Sequence, residues 1–140
     1  MSRQMNILLV EDNSLDAMMV QRALAKIASN AVTTRAEDGV EALEIINSGE
    51  LSGPFFVLLD INMPRMNGHE FLKEFRTTSA ASDSVVFMFT TSDSPQDIAK
   101  AYRQRANGYI VKPHNREDMK KKMSTLQGFW TICEPPVPPV

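Results

Sequence analysis

Five consecutive residues, Phe55-Phe56-Val57-Leu58-Leu59, are apolar without interruption and are followed at once by Asp60. A strand with one face in water alternates apolar and polar residues. A run that does not alternate is buried on both faces, as in a parallel sheet with helices above and below. The run is far too short to span a membrane. The acid therefore falls at the carboxyl end of a central strand, the edge of an open parallel sheet at which ligands bind. Beyond it, Pro64 holds Met63 extended, and Asn67-Gly68 marks a turn or a helix start. Taken alone, the stretch also fits a surface acid that merely ends a strand.

The rest of the chain repeats this grammar. Asn6–Val10 is a second apolar run, ending at Glu11-Asp12. Ala31–Ala36 is β-branched and more polar, as expected nearer a sheet edge. Val85–Phe89 ends at Thr90, and Gly108–Val111 ends at Lys112-Pro113. Helical stripes separate these runs: Ala17, Val20, Leu24 and Ile27 behind an Asn13 cap; Val40, Leu43 and Ile46 behind Asp38; Phe71, Leu72 and Phe75 after Asn67; Ile98, Ala101 and Tyr102 after Ser94-Pro95; Met119, Met123 and Leu126 after Asn115. Strands alternating with helices predict an α/β fold: a doubly wound, five-stranded parallel sheet with five helices, in the flavodoxin-like order 2-1-3-4-5. Residues 1–126 form this domain. Residues 127–140 form an aromatic and proline-rich tail that cannot continue as helix beyond Glu134. Phe129 and Trp130 are expected outside the regular elements, either folded back on the domain or docked on a second copy; a homodimer is the favoured reading.

Composition excludes several classes. The 140 residues carry 15 basic and 17 acidic side chains, a formal net charge of −2 that gives no electrostatic case for nucleic acid. No apolar run approaches a membrane span, no secretory leader is evident, and Cys133 has no other cysteine to pair with, which places the protein in a reducing cytoplasm.

In the expected topology four strands deliver Glu11-Asp12, Asp60, Thr90 and Lys112 to one edge. Crowded carboxylates need a compensating cation, and hard oxygen donors suit Mg²⁺. Asp12 and Asp60 are candidate direct ligands, Glu11 a ligand directly or through water, and Asn62 a candidate backbone-carbonyl donor. A carboxylate can attack phosphorus to give an acyl phosphate. The transferring group spreads negative charge over its oxygens, so the chemistry is positioning and charge neutralisation. Lys112 can meet one oxygen as a point charge and Thr90 can donate to another. Singly, each feature is ordinary; jointly, in this order, they describe a site that accepts a phosphoryl group on Asp60.

The segments Ile-Leu-Leu-Val-Glu-Asp-Asn (7–13), Leu-Leu-Asp-Ile-Asn-Met-Pro-Arg-Met-Asn-Gly (58–68), Phe-Thr-Thr-Ser (89–92) and Gly-Tyr-Ile-Val-Lys-Pro (108–113) resemble the receiver domain of two-component response regulators, with a CheY-like fold. The resemblance implies Mg²⁺ held by Glu11, Asp12 and Asp60, phosphorylation of Asp60 by a sensor histidine kinase, a switch pair of Thr90 and Tyr109, and a cis Lys112–Pro113 peptide. It implies a protein that catalyses only its own phosphorylation and dephosphorylation, with output through protein contacts. A closer resemblance, carried by Asn13-Ser14-Leu15-Asp16, the loop around Gly53, Asp97-Ile98, Ala101-Tyr102 and Phe129-Trp130, is to the small stand-alone receivers paired with bacterial phytochrome kinases. Arg105 departs from that pattern, which has Gly where a left-handed helix cap is needed, so a different end to the fourth helix is expected. His69 and His114 read as solvated. Two other functions stay open: a receiver-fold scaffold that is never phosphorylated, and a Mg²⁺-dependent phosphatase. The phosphatase needs a second acid two residues after the nucleophile, where this chain has Asn62.

Overall fold

The structure is a computed structural model that describes residues 4–28, 30–51, 53–79 and 81–136. Five strands, β1 (Asn6–Val10), β2 (Val32–Ala36), β3 (Phe56–Leu59), β4 (Val85–Thr90) and β5 (Gly108–Val111), alternate with five helices, α1 (Ser14–Ile27), α2 (Gly39–Ser48), α3 (Gly68–Thr78), α4 (Pro95–Arg103) and α5 (Arg116–Ile132). The sheet order is β2-β1-β3-β4-β5 and every pairing is parallel, as the alternation requires. Registers align the strand ends: Val10 lies opposite Leu59, Leu59 opposite Met88, and Thr90 opposite Val111.

The unbroken apolar runs serve two cores at once, because successive strand residues face opposite ways. Ile7, Leu9, Phe56, Leu58 and Phe89 join α1 and α5 on one side. Leu8, Val10, Val57, Leu59 and Met88 join Phe71, Leu72, Phe75 and Ala101 on the other. All of β3 is inaccessible to water. Each helix starts where its cap stands: Asn13, Asp38, Asn67, Ser94 and Asn115 each accept from the backbone N–H three residues on, and Glu70 completes a capping box with Asn67. Among the described residues no helix is long and apolar enough to cross a membrane.

Three expectations are corrected. First, α5 does not stop near Leu126 but runs through Gly128 to Ile132. Phe129 and Trp130 are therefore inside a regular element. Met119, Met123, Leu126 and Trp130 form one buried stripe at helical spacing, and Trp130 is buried at 5% exposure. Its indole lies 5.6 Å from the Phe56 ring, and its Nε1 donates to the Gln4 carbonyl at 3.1 Å. Burial of one large aromatic outweighs the modest cost of a glycine in a helix interior. Second, Tyr102 is half exposed on α4 rather than inward, leaving Ala101 as the buried anchor. Third, Arg105 adopts the left-handed conformation itself, with φ 68°. The last turn of α4 thus closes much as a glycine cap would close it, and the Arg105 side chain donates to the Arg76 carbonyl at 3.0 Å. The proline-rich end from Val137 onward lies outside the described residues.

Candidate functional site

Strand order brings the tips of β1, β3, β4 and β5 side by side at one edge. Backbone bonds continue past the strand ends and fix the side chains there. Glu11 N donates to the Ala36 carbonyl at 2.9 Å, Asp60 N to Val10 at 3.0 Å, and Lys112 N to Thr90 at 2.8 Å. Glu11, Asp60, Thr90 and Lys112 are all buried, while Asp12 is exposed.

The Lys112 ammonium is the hub. Its Nζ stands 2.6 Å from Glu11 Oε1, 2.8 Å from Asp16 Oδ2 and 3.2 Å from Asp60 Oδ2. Burial alone would favour a neutral amine. The Asp16 and Glu11 carboxylates, with the charge of Asp60, reverse that and hold the ammonium well above the ordinary lysine range. Burial pushes the Glu11 carboxyl up to about 7; the charge of Asp60 adds to the rise, and Lys112 offsets part of it.

Glu11, Asp12 and Asp60 each offer a carboxylate oxygen, and these oxygens lie within 4.8 Å of one another. Asp16 adds a further acid beside the ammonium, so carboxylates outnumber the one cation at this edge. That surplus of hard, negative oxygen donors fits a divalent cation such as Mg²⁺. Thr90 is the last residue of β4, its carbonyl bonded to Lys112 N, and its Oγ1 accepts a long bond from Ser92 N at 3.4 Å. Tyr109 is half-buried on β5, with its hydroxyl donating to the Ser92 carbonyl at 2.9 Å. Asn62 is exposed just past Asp60.

Two expected features do not hold. No peptide among the described residues is cis, so Lys112–Pro113 is trans. The two isomers of an X-Pro bond differ by only about 0.5–1 kcal/mol, and the local chain does not force the rarer one. His69 is not solvated but buried at 5% exposure. It faces inward at the start of α3, with Nε2 3.0 Å from Asp97 Oδ1; His114 is exposed as expected.

Sequence reasoning missed three supports. Asp16 was legible only as a first-turn acid of α1, yet α1 begins so close to the end of β1 that its first turn overhangs Lys112. Arg35, on β2, clasps the acid pair from behind: its Nε donates to the Glu11 carbonyl at 3.0 Å and Nη2 to the Asp12 carbonyl at 3.1 Å. Arg65, at φ 62°, reaches Asp38 at 2.7 Å and pins the loop after Asp60 to the start of α2. No spacing signal announces the last two, because both are contacts between segments distant in sequence.

Gly68 is the tightest position. A Cβ there would lie 2.2 Å from the Asp60 carbonyl oxygen, and Gly68 N donates to the Ile61 carbonyl at 2.8 Å. Only a residue without a side chain lets α3 begin against the backbone of Asp60.

Similarity to known proteins follows the same residues. The family model described as response regulator receiver domain matches residues 7–124. The probable methanogenesis regulatory protein FilR2 of Methanothrix harundinacea is 34% identical over 127 residues, 89% of this chain and 82% of that protein. Response regulator Rcp1 of Synechocystis is 30% identical over 128 residues, 89% of this chain and 87% of that protein. The crystal structure of the Mn²⁺-bound form of response regulator Rcp1 matches with a TM-score of 0.79 and 27% identity, covering 95% of this chain and 99% of that one. The crystal structure of the phosphorylated cyanobacterial phytochrome response regulator RcpA matches with a TM-score of 0.88 and 28% identity, covering 96% of this chain and all of that one (100%).

Proposed function

The chain belongs to the response-regulator receiver family of two-component signalling, and from that premise we propose that it accepts a phosphoryl group on Asp60 from the phosphohistidine of a sensor histidine kinase. The observation that carries this reading is the Lys112 ammonium lodged among Glu11, Asp16 and Asp60 at the strand tips. An Asp60 carboxylate oxygen attacks phosphorus. The new O–P bond forms as the N–P bond to the donor imidazole breaks, and the imidazole leaves with that electron pair. Lys112 stands ready to meet a phosphoryl oxygen, and Thr90 to donate its hydroxyl to another.

The residues suited to holding Mg²⁺ are Asp12, Asp60 and Glu11, with the Asn62 carbonyl as a further donor; bound there, the ion would neutralise charge on the phosphoryl oxygens. The acyl phosphate carries about −1.5 to −2 charge next to Thr90, in place of the single charge of the Asp60 carboxylate. Thr90 and Tyr109 form the switch in this reading. Their movement biases the face built by α4, β5 and α5 between two packings, and output passes through protein contacts in the cytoplasm.

Phytochrome-linked regulators among the similar proteins make a bacteriophytochrome the favoured kinase. A homodimer remains part of the reading, but with Trp130 committed to its own core it would draw on Phe129 and on Ile132, which is 82% exposed. Size measurement with and without a phosphoryl mimic tests it: a mimic-dependent doubling of mass is expected, and a monomer under both conditions refutes it.

Incubation with Mg²⁺ and acetyl phosphate, followed by intact-mass measurement, tests the phosphoacceptor role. Wild type should gain one phosphoryl group and Asp60→Asn none. Multiple turnover of the donor without a stable adduct would point to a phosphatase, and no reaction of either kind to a scaffold.

A further inference from the structure

A second polar network lies beside the acid cluster and joins the two loops that frame it. It starts at α3. Gly68 N is bonded to the Ile61 carbonyl, next to Asp60, and the adjacent residue, His69, points its ring the other way, toward α4. His69 Nε2 is 3.0 Å from Asp97 Oδ1. Asp97 Oδ2 accepts from Ser92 Oγ at 2.6 Å. Ser92 in turn is the loop's crossing point: its carbonyl accepts from the Tyr109 hydroxyl, and its N–H reaches Thr90 Oγ1. Ser94 closes the loop, accepting from Asp97 N at 3.1 Å and donating its own N–H to Ser92 Oγ at 3.3 Å. The hydrogen bonds from Ser92 and His69 hold the Asp97 carboxyl below its usual range.

His69 is a costly choice for a buried position. Its Nδ1 is buried without a hydrogen-bond partner, a state that burdens the fold. An apolar side chain would fill the same space without that burden. What the imidazole adds is the link to Asp97, and through it to Ser92, two residues past Thr90.

We propose that His69, acting through Asp97 and Ser92, is a positioning residue for phosphoryl acceptance: it keeps the loop that follows Thr90 in register with the loop that follows Asp60. The inference rests on the phosphoacceptor reading above. The bridge touches neither the phosphoryl group nor the metal-binding acids, and it acts by fixing the distance between two groups that must grip one phosphate.

The test uses beryllofluoride, a non-transferable stand-in for the phosphoryl group, titrated in Mg²⁺ onto wild type, His69→Leu, His69→Gln, Ser92→Ala and the His69→Leu/Ser92→Ala double variant. Mg²⁺ affinity alone and amide hydrogen exchange of residues 91–97 are measured alongside. His69→Leu should bind beryllofluoride about tenfold more weakly, the scale of one hydrogen bond to a charged group. His69→Gln, which retains a donor for Asp97, should recover most of that. Mg²⁺ affinity should stay at the wild-type value, and exchange across 91–97 should accelerate in His69→Leu. Ser92→Ala should resemble His69→Leu, and the double variant should be no worse than either, because both cut one chain. Should His69→Leu fail to fold, Ser92→Ala, in a partly exposed loop, carries the comparison. Wild-type beryllofluoride affinity and exchange in both single variants would overturn the bridge while leaving the phosphoacceptor reading intact. Parallel loss of Mg²⁺ affinity, or failure of Gln to rescue, would reduce His69 to a structural residue. Failure of wild type itself to bind beryllofluoride would overturn both.

Discussion

Replacing Gly68 with alanine should damage the site more than any other single methyl group. The added Cβ would lie 2.2 Å from the Asp60 carbonyl oxygen, 2.9 Å from Ile61 Cα and 3.0 Å from the Asp60 carbonyl carbon. Ordinary contact begins at 3.4 Å, so relief of the worst overlap needs a shift of 3.4 less 2.2, or about 1.2 Å. Every atom in conflict belongs to backbone, which cannot rotate aside as a side chain would. Moving α3 outward stretches the 2.8 Å bond from Gly68 N to Ile61 O; moving the strand end displaces Asp60. Overpacking of this kind costs about 1–3 kcal/mol, and a reacting group misplaced by ~1 Å can lose about 10²-fold in rate. Urea unfolding should show the stability loss. The rate of phosphorylation by acetyl phosphate, followed by intact mass under conditions where the variant is fully folded, should fall by one to two orders of magnitude. A Gly68→Ala protein with wild-type stability and wild-type rate would refute the claim that α3 is docked against the phosphoacceptor backbone.

Other consequences follow from the same geometry. Trp130→Ala should cost about 3–5 kcal/mol in urea unfolding, because it empties a buried site against Phe56 and leaves the Gln4 carbonyl without this donor; a change below about 1 kcal/mol would mean the helix end is not part of the core. Asp38 has its carboxyl lowered chiefly by the hydrogen bond from Arg65, so its stabilisation is full above the ordinary carboxylate range and fades as pH falls through the depressed value. Unfolding measured between pH 5 and pH 2 should therefore show a shallower acid loss for Asp38→Asn than for wild type, and identical slopes would contradict the pairing. Lys112→Met should abolish phosphorylation and, by leaving Glu11 and Asp60 without their ammonium, destabilise the fold by about 3 kcal/mol at neutral pH; calorimetry showing an unchanged Tm would place Lys112 outside the cluster.

The acid pair, Asp60, Thr90 and Lys112 were legible because each ends an apolar run, and sheet topology does the rest: strand ends in a parallel sheet share an edge. Helix starts were equally plain, since a cap and its N–H partner are three residues apart. What escaped was of two kinds. The helical stripe of α5 continues at unchanged spacing to Trp130, but Gly128 and the prolines from Pro135 onward are helix-breaking residue types that mask the period. Contacts such as Arg35 to the acid-pair carbonyls, Arg65 to Asp38, and His69 to Asp97 join segments 23 to 28 residues apart in sequence. No local propensity encodes them. A buried imidazole is more often visible by its surroundings than by its spacing, and the surroundings of His69 exist only once α3 and α4 have packed.

The central claim is that Asp60 carries the phosphoryl group, and site mapping tests it directly. After treatment with Mg²⁺ and acetyl phosphate, borohydride reduces an aspartyl phosphate to homoserine, which peptide mass analysis locates to a single residue. Conversion at residue 60, abolished by chelating the Mg²⁺ and absent from Asp60→Asn, is the predicted result; conversion at Asp12 or Asp16, or at no residue under any condition, would contradict it.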